Sequence, residues 1–223
     1  MSETSIVIPV RDGERYIGEA IESLLAQTAP PMEIIVVDDG SSDRSAEIVT
    51  GYAGVRLVQI ERRGPGAARN VGVACASSPL LGFLDADDIA TERRLELQVE
   101  LLERRPEVHG VVGRMQMFIS EDCDPAVRER ALPVAGTPVA YLASTLLMRR
   151  DAFLATGGLN DGLTNAEMID WFARARRELA FAEVDAVVLR RRIHGANNSL
   201  RRDQMHRELM RVARSAVLRA RDA

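Results

Sequence analysis

The chain has no lysine: all 29 of its basic residues are arginine. A lysine-bearing phosphate loop and a lysine Schiff base are therefore both excluded. With three histidines, a histidine-rich metal site is not expected. The two cysteines, Cys75 and Cys123, form neither a disulfide framework nor a C-x-x-C motif. Cys75 reads as an inert core thiol. A net charge of −4 gives no overall attraction to nucleic acid. No apolar run approaches the ~20 residues that span a bilayer. Met1-Ser2-Glu3-Thr4 has neither the basic start nor the apolar core of a signal peptide, so the expectation is a cytoplasmic protein.

What is present centres on Leu80-Leu81-Gly82-Phe83-Leu84 followed by Asp85-Ala86-Asp87-Asp88. A short apolar run between Pro79 and acidic residues reads as a buried strand. Carboxylates crowded at its exit repel one another and are costly to desolvate unless a cation joins them. Oxygen ligands suit Mg²⁺ or Mn²⁺. A solvated acidic turn capping a helix near Thr91 is the plainer alternative.

Before this run, strands are predicted over 5–10, 32–37 and 56–60. Helices lie between them over 16–27, from the Ser41-Ser42 turn to about 50, and over 67–76. This alternation indicates a parallel doubly wound sheet. Polar clusters follow three of the strands: Arg11 and Asp12, Asp38 and Asp39, and Asp85 to Asp88. They fall at the same end of the sheet, where open α/β sheets bind ligands. After it come a helix over 91–104 and a strand over 108–119 with bends at Gly110 and Gly113. Residues 120–137 read as a surface loop and 138–148 as a further strand. A short helix spans 151–156, a second helix 166–178, and a strand or hairpin 181–192. A polar loop, 194–199, precedes a basic helix over 201–221.

Several motifs then occur in one order: Ile-Val-Ile-Pro-Val (6–10), Val-Val-Asp-Asp-Gly-Ser-Ser-Asp (36–43), Gly-Pro-Gly-Ala-Ala-Arg-Asn (64–70) and Phe-Leu-Asp-Ala-Asp-Asp (83–88). Gly157-Gly158-Leu159-Asn160, the Glu167 helix and Arg192-Ile193-His194-Gly195 follow. In this the chain resembles the family 2 glycosyltransferases of GT-A fold, from Ile6 to about Leu200. The resemblance implies a single α/β GT-A domain with a mostly parallel sheet. Residues 1–118 would form a nucleotide-sugar half, 119–200 an acceptor half and 201–223 a basic C-terminal helix.

The resemblance further implies an inverting, metal-dependent transfer from a nucleotide sugar, typically a UDP-sugar, to an acceptor hydroxyl. Pro9, Arg11, Asp38, Asp39, Arg69, Asp85 and Ala86 are the candidate donor-binding residues. Asp38 or Asp39 would accept from the uracil edge, and Asp85 would face the ribose. Arg69 would contact base or diphosphate, or pair with Asp38 or Asp39. Asp87 would meet Mn²⁺ or Mg²⁺ and His194 the metal or the diphosphate, with Asp88 left to cap the next helix. Asn197 and Asn198 would help close the loop over the donor.

The family's Glu-Asp pair at a late helix start reads Glu167-Met168 here. Glu167 is the expected base and Asp170, three residues on, the reserve. The alternative for Glu167 is a helix N-terminal acid favoured by the macrodipole. Arg11 stands where relatives carry an aromatic, and could stack its guanidinium on the base instead. Trp171 reads as packing.

The acceptor class, whether saccharide, lipid carrier, peptide or small molecule, stays open, as does oligomeric state. The arginine-rich tail suits a packed helix or a peripheral contact with anionic lipid. Competing readings are a sugar-nucleotide pyrophosphorylase, which needs the absent lysines and glycine-rich loop, and a nucleotide-binding module that no longer catalyses.

Overall fold

The computed structural model describes residues 2–123, 125–130, 136–195 and 202–221. Asn197 and Asn198 lie outside the described residues. The first half alternates as the sequence predicts: β1 (Ser2–Val10), α1 (Ile17–Leu25), β2 (Pro31–Asp38), α2 (Ser45–Thr50), β3 (Val55–Gln59), α3 (Pro65–Cys75) and β4 (Leu80–Phe83). A two-residue strand, β5 (Ile89–Ala90), follows the acidic turn and precedes α4 (Arg94–Arg104).

The second half departs from a wholly parallel pattern. It comprises β6 (Gly110–Ile119), α5 (Pro125–Arg130), a 3-10 turn (Ala143–Thr145), β7 (Leu147–Arg149), α6 (Arg150–Ala155), α7 (Glu167–Ala175), β8 (Phe181–Ile193) and α8 (Arg202–Arg221). The eight-stranded sheet has the order β3-β2-β1-β4-β7-β6-β8-β5. The first four strands pair parallel. β7 runs antiparallel to both β4 and β6, and β8 returns parallel to β6. The sheet is therefore mixed, and residues 181–193 form one long strand rather than a hairpin.

The stretch expected to be loop holds α5, opened by Pro125. Proline is tolerated in the first helical turn, where its missing N–H costs nothing. At Gly113 the register of β6 against β8 shifts. A Cβ there would lie 2.6 Å from a Val188 methyl, so the bend and the close packing have one cause.

The apolar strands lack a polar face because both faces are buried. Ile6, Ile8 and Val10 enter one core with Ile34, Val36 and the α1 residues Ile17, Ile21 and Leu24. Val7, Ile35 and Val37 enter the other, with Ala68 and Val73 of α3 and Trp171 and Phe172 of α7. Trp171 is fully buried, stacks on Phe153 and donates its indole N–H to Thr156. Gly72 lets α3 lie directly on β1, since a Cβ there would meet a Val7 methyl at 2.3 Å. This packing sets Arg69, one turn earlier on α3, over the ends of the strands.

Candidate active site

The carboxyl ends of β1, β2 and β4 open into a cleft of about 930 Å³. Its first wall is the turn after β1. Asp12 adopts φ 50°, a left-handed conformation tolerable for a short polar side chain. Its Oδ1 accepts from the Ser42 N–H and hydroxyl, and its own N–H donates to Ser41 Oγ. The Ser-Ser pair thus locks the first turn to the second. Arg11 points along this wall, 3.7 Å from the Asp12 carboxylate.

Asp38 and Asp39 are both buried but do different work. Asp38 accepts the Ser41 N–H and the Gln59 amide, and does not line the cleft. Asp39 does line it, and accepts the Arg63 and Gly64 N–H groups at 2.6 and 2.9 Å. That carboxylate fixes the loop leading into α3. Gly64, at φ 97°, makes the turn.

Arg69 projects from α3 into the floor. Its Nη2 donates to Asp85 Oδ1 at 2.6 Å and its Nη1 to Glu167 Oε1 at 2.7 Å. It does not pair with Asp38 or Asp39, the partners offered by sequence. Burial disfavours its charge, but the two carboxylates outweigh burial and raise its pKa above the ordinary value. Asn70 beside it bonds Leu159 through both its N–H and carbonyl oxygen, which ties the Gly157-Gly158 turn to α3.

In the acidic turn, Asp85 donates its N–H to Ser144. Asp87 Oδ2 lies 2.9 Å from His194 Nε2, which joins the exit of β4 to the end of β8. Asp88 is buried and accepts the Arg192 N–H rather than capping α4. Burial, then the charges of Asp87 and Asp85, push its carboxyl well above the usual range. Beneath the turn, fully buried Arg94 donates to the Phe83 and Leu146 carbonyls, and burial lowers its pKa to about 10.

Of the residues singled out by sequence, Pro9, Arg11, Asp39, Arg69, Asp85, Ala86, Asp87, Glu167 and His194 line this one cleft. Asp38 and Asp170 do not. Asp170 is buried and pairs with Arg174 at 3.1 Å, and Arg174 in turn holds the Thr156 and Gly158 carbonyls. Among the described residues, no group of three or more His, Cys, Asp or Glu side chains is placed to hold a metal.

Sequence reasoning missed Tyr16. Its ring lies 4.8 Å from the His194 ring, its hydroxyl donates to Asp122, and the Arg192 guanidinium sits 4.6 Å above it. It missed Gln204 and Met205 of α8, which also line the cleft. An aromatic at the start of α1 was the only available signal for Tyr16.

Residues 5–133 match the model of Glycosyl transferase family 2. The chain is 38% identical over 104 residues to the uncharacterized glycosyltransferase EpsJ of Bacillus subtilis, covering 45% of this chain and 30% of that protein. It is 35% identical over 128 residues to the glycosyltransferase GlyG of Streptococcus pneumoniae, covering 55% and 42% respectively. The chain thus spans less than half the length of these relatives. Among solved structures, S. aureus TarS 1-349 in complex with UDP-GlcNAc superposes with a TM-score of 0.72 at 21% identity, over 88% of this chain and 60% of that one. The fold is therefore the GT-A fold, and with more than half of its residues matched the chain belongs to glycosyl transferase family 2.

Proposed function

We propose that this chain transfers a sugar from a nucleotide-sugar donor, a UDP-sugar, to an acceptor hydroxyl with inversion at the anomeric carbon. Residues 1–118 hold the donor and 119–200 the acceptor. The observation that carries the reading is convergence. The acidic turn, Glu167 and His194 come from distant parts of the chain and line one cleft at the ends of parallel strands. Family membership supports the reading, as does the fold shared with TarS, which is solved with UDP and with UDP-GlcNAc.

A divalent cation fits the residues present. Carboxylate oxygen and imidazole nitrogen are suitable donors for Mn²⁺ or Mg²⁺. Asp87 Oδ2 and His194 Nε2 face each other at 2.9 Å across the cleft as a hydrogen-bonded pair. Those two residues would hold the ion, which would supply positive charge against a departing diphosphate. Asp39 and the Asp12–Ser42 turn hold the base and ribose side, with Arg11 beside them. Arg69 orients both Asp85 and Glu167.

Glu167 is the base on this reading. Arg69 fixes its Oε1, while its buried Oε2 has no hydrogen-bond partner among the described residues. Such an oxygen is costly unless a proton donor completes it, and a small shift of the side chain toward the cleft would let the acceptor hydroxyl be that donor. Asp170 keeps a positioning role through Arg174.

Among the described residues no helix is long and apolar enough to cross a membrane. Exposed Leu209 and Met210, with Arg207 and Arg211 on the same helix, support a peripheral contact of α8 with anionic lipid on the cytoplasmic side.

A second reading, a nucleotide-binding module without transfer, is favoured by two observations. Met168 lines the cleft where the family's aspartate is expected, and Glu167 is engaged in an ion pair. Glu167→Gln separates the two. The variant should bind UDP as the wild type does and release UDP from UDP-sugars ~10²–10⁴-fold more slowly. Unchanged turnover contradicts the base assignment, and a wild type that binds UDP but turns over no donor supports the module.

A further inference from the structure

The first turn of α7 has no cap of its own. Its N-cap position is Ala166, which offers no side-chain acceptor, and Glu167 is the first helical residue. The segment that leads into it is held instead by α8. Glu208 Oε2 accepts the N–H groups of Thr164, Asn165 and Ala166 at 3.1, 2.8 and 3.0 Å. Its Oε1 accepts the Thr164 hydroxyl at 2.8 Å and the Gln204 amide at 3.3 Å. A single carboxylate, 6% exposed, thus gathers three successive backbone donors that immediately precede Glu167. Leu163, Ala166 and Val212 close an apolar cluster around it. All of this lies beyond residue 133, where the family match ends.

We propose that Glu208 is a positioning residue for the transfer reaction, acting as a carboxylate clamp that fixes residues 164–166 and so sets the Glu167 carboxylate at the cleft. The inference rests on the proposed role of Glu167 as the base. Buried backbone N–H groups that lose their acceptor are costly, so without Glu208 this segment and the helix start it leads into would loosen. Fraying here would release the residue that Arg69 and the acceptor must meet together. Thr164 and Asn165 line the cleft as well, so the clamp shapes the acceptor side of the site. The anion-accepting geometry also keeps the Glu208 pKa low: burial opposes its charge, but the Asn165, Thr164 and Ala166 donors outweigh burial.

The test uses the full chain with Glu208→Ala and Glu208→Gln, the latter retaining one acceptor oxygen. In Glu208→Ala, amide exchange over residues 164–170 should rise about tenfold or more while amides of β1 and β2 keep their protection. UDP affinity should be unchanged. UDP release from a panel of UDP-sugars should fall by ~10- to 100-fold in kcat with KM for the donor unmoved, the effect expected of a misplaced catalytic group. Glu208→Gln should recover part of both effects. Wild-type exchange over 164–170 in the variants, or exchange that rises equally throughout the fold, overturns the proposal. If Glu208→Ala does not fold, Glu208→Gln alone carries the comparison. A wild type that releases no UDP counts against the proposed function, and the local exchange then decides the role of Glu208 by itself.

Discussion

Arg69 and Glu167, 98 residues apart in sequence, meet at 2.7 Å on the floor of the cleft, and the same guanidinium reaches Asp85 at 2.6 Å. One planar cation thereby links α3, the exit of β4 and the start of α7. Arginine suits this post because its fork serves two carboxylates at once, which an ammonium does less well.

Removing that cation should leave two carboxylates facing one another, one of them buried. Arg69→Met is expected to lose ~3–5 kcal/mol of stability, the range for breaking a buried pair by deleting one partner. UDP binding should weaken in the same variant. Urea unfolding checks the first and calorimetry the second. A loss below ~1 kcal/mol would place the pair among weak surface contacts.

Asp39→Ala should act on the donor rather than on the fold's core. The variant frees the Arg63 and Gly64 N–H groups and loosens the loop that bounds the cleft. UDP affinity should drop at least about tenfold, since each unsatisfied donor costs ~1–3 kcal/mol. Asp38→Ala should instead appear mainly as lost stability, because Asp38 faces the Ser41 turn and Gln59. Equal effects of the two variants on UDP affinity would contradict this division.

Glu33 provides a pH test far from the cleft. Burial raises its pKa, but hydrogen bonds from the Ser5 hydroxyl and from the Ser77 N–H and hydroxyl outweigh it and hold the value below that of a free glutamate. A depressed folded value means stabilisation that is complete above about pH 4.3, the unfolded value, and is lost as pH falls through the folded one. Glu33→Gln should therefore cost ~1–3 kcal/mol at pH 7 and much less at pH 3, measured by urea unfolding at both. An equal cost at both pH values would contradict the assignment.

The first four strands and the acidic turn were legible because their signals are local: apolar runs bounded by glycine, proline and acids. What lay beyond was decided by contacts that leave no local trace. Asp38 and Asp39 are adjacent at a strand end, where successive side chains take opposite sides, so composition could not say which one meets the cleft. The spacing of Glu167 and Asp170 suggested a shared helix face, but Arg174 takes Asp170 away. Glu208 reads in sequence as one acid in an arginine-rich helix. Its partners are backbone N–H groups, which any residues would supply. The antiparallel insertion of β7 between β4 and β6 depends on pairing across the sheet, which strand periodicity does not encode.

The most direct measurement is calorimetric titration of UDP and a UDP-sugar into the wild type and Asp87→Asn, each with and without Mn²⁺. Nucleotide binding that tightens with Mn²⁺ in the wild type, and loses that gain in Asp87→Asn, is the predicted result. A folded wild type that binds neither ligand under either condition would contradict the claim that this cleft is a nucleotide-sugar site.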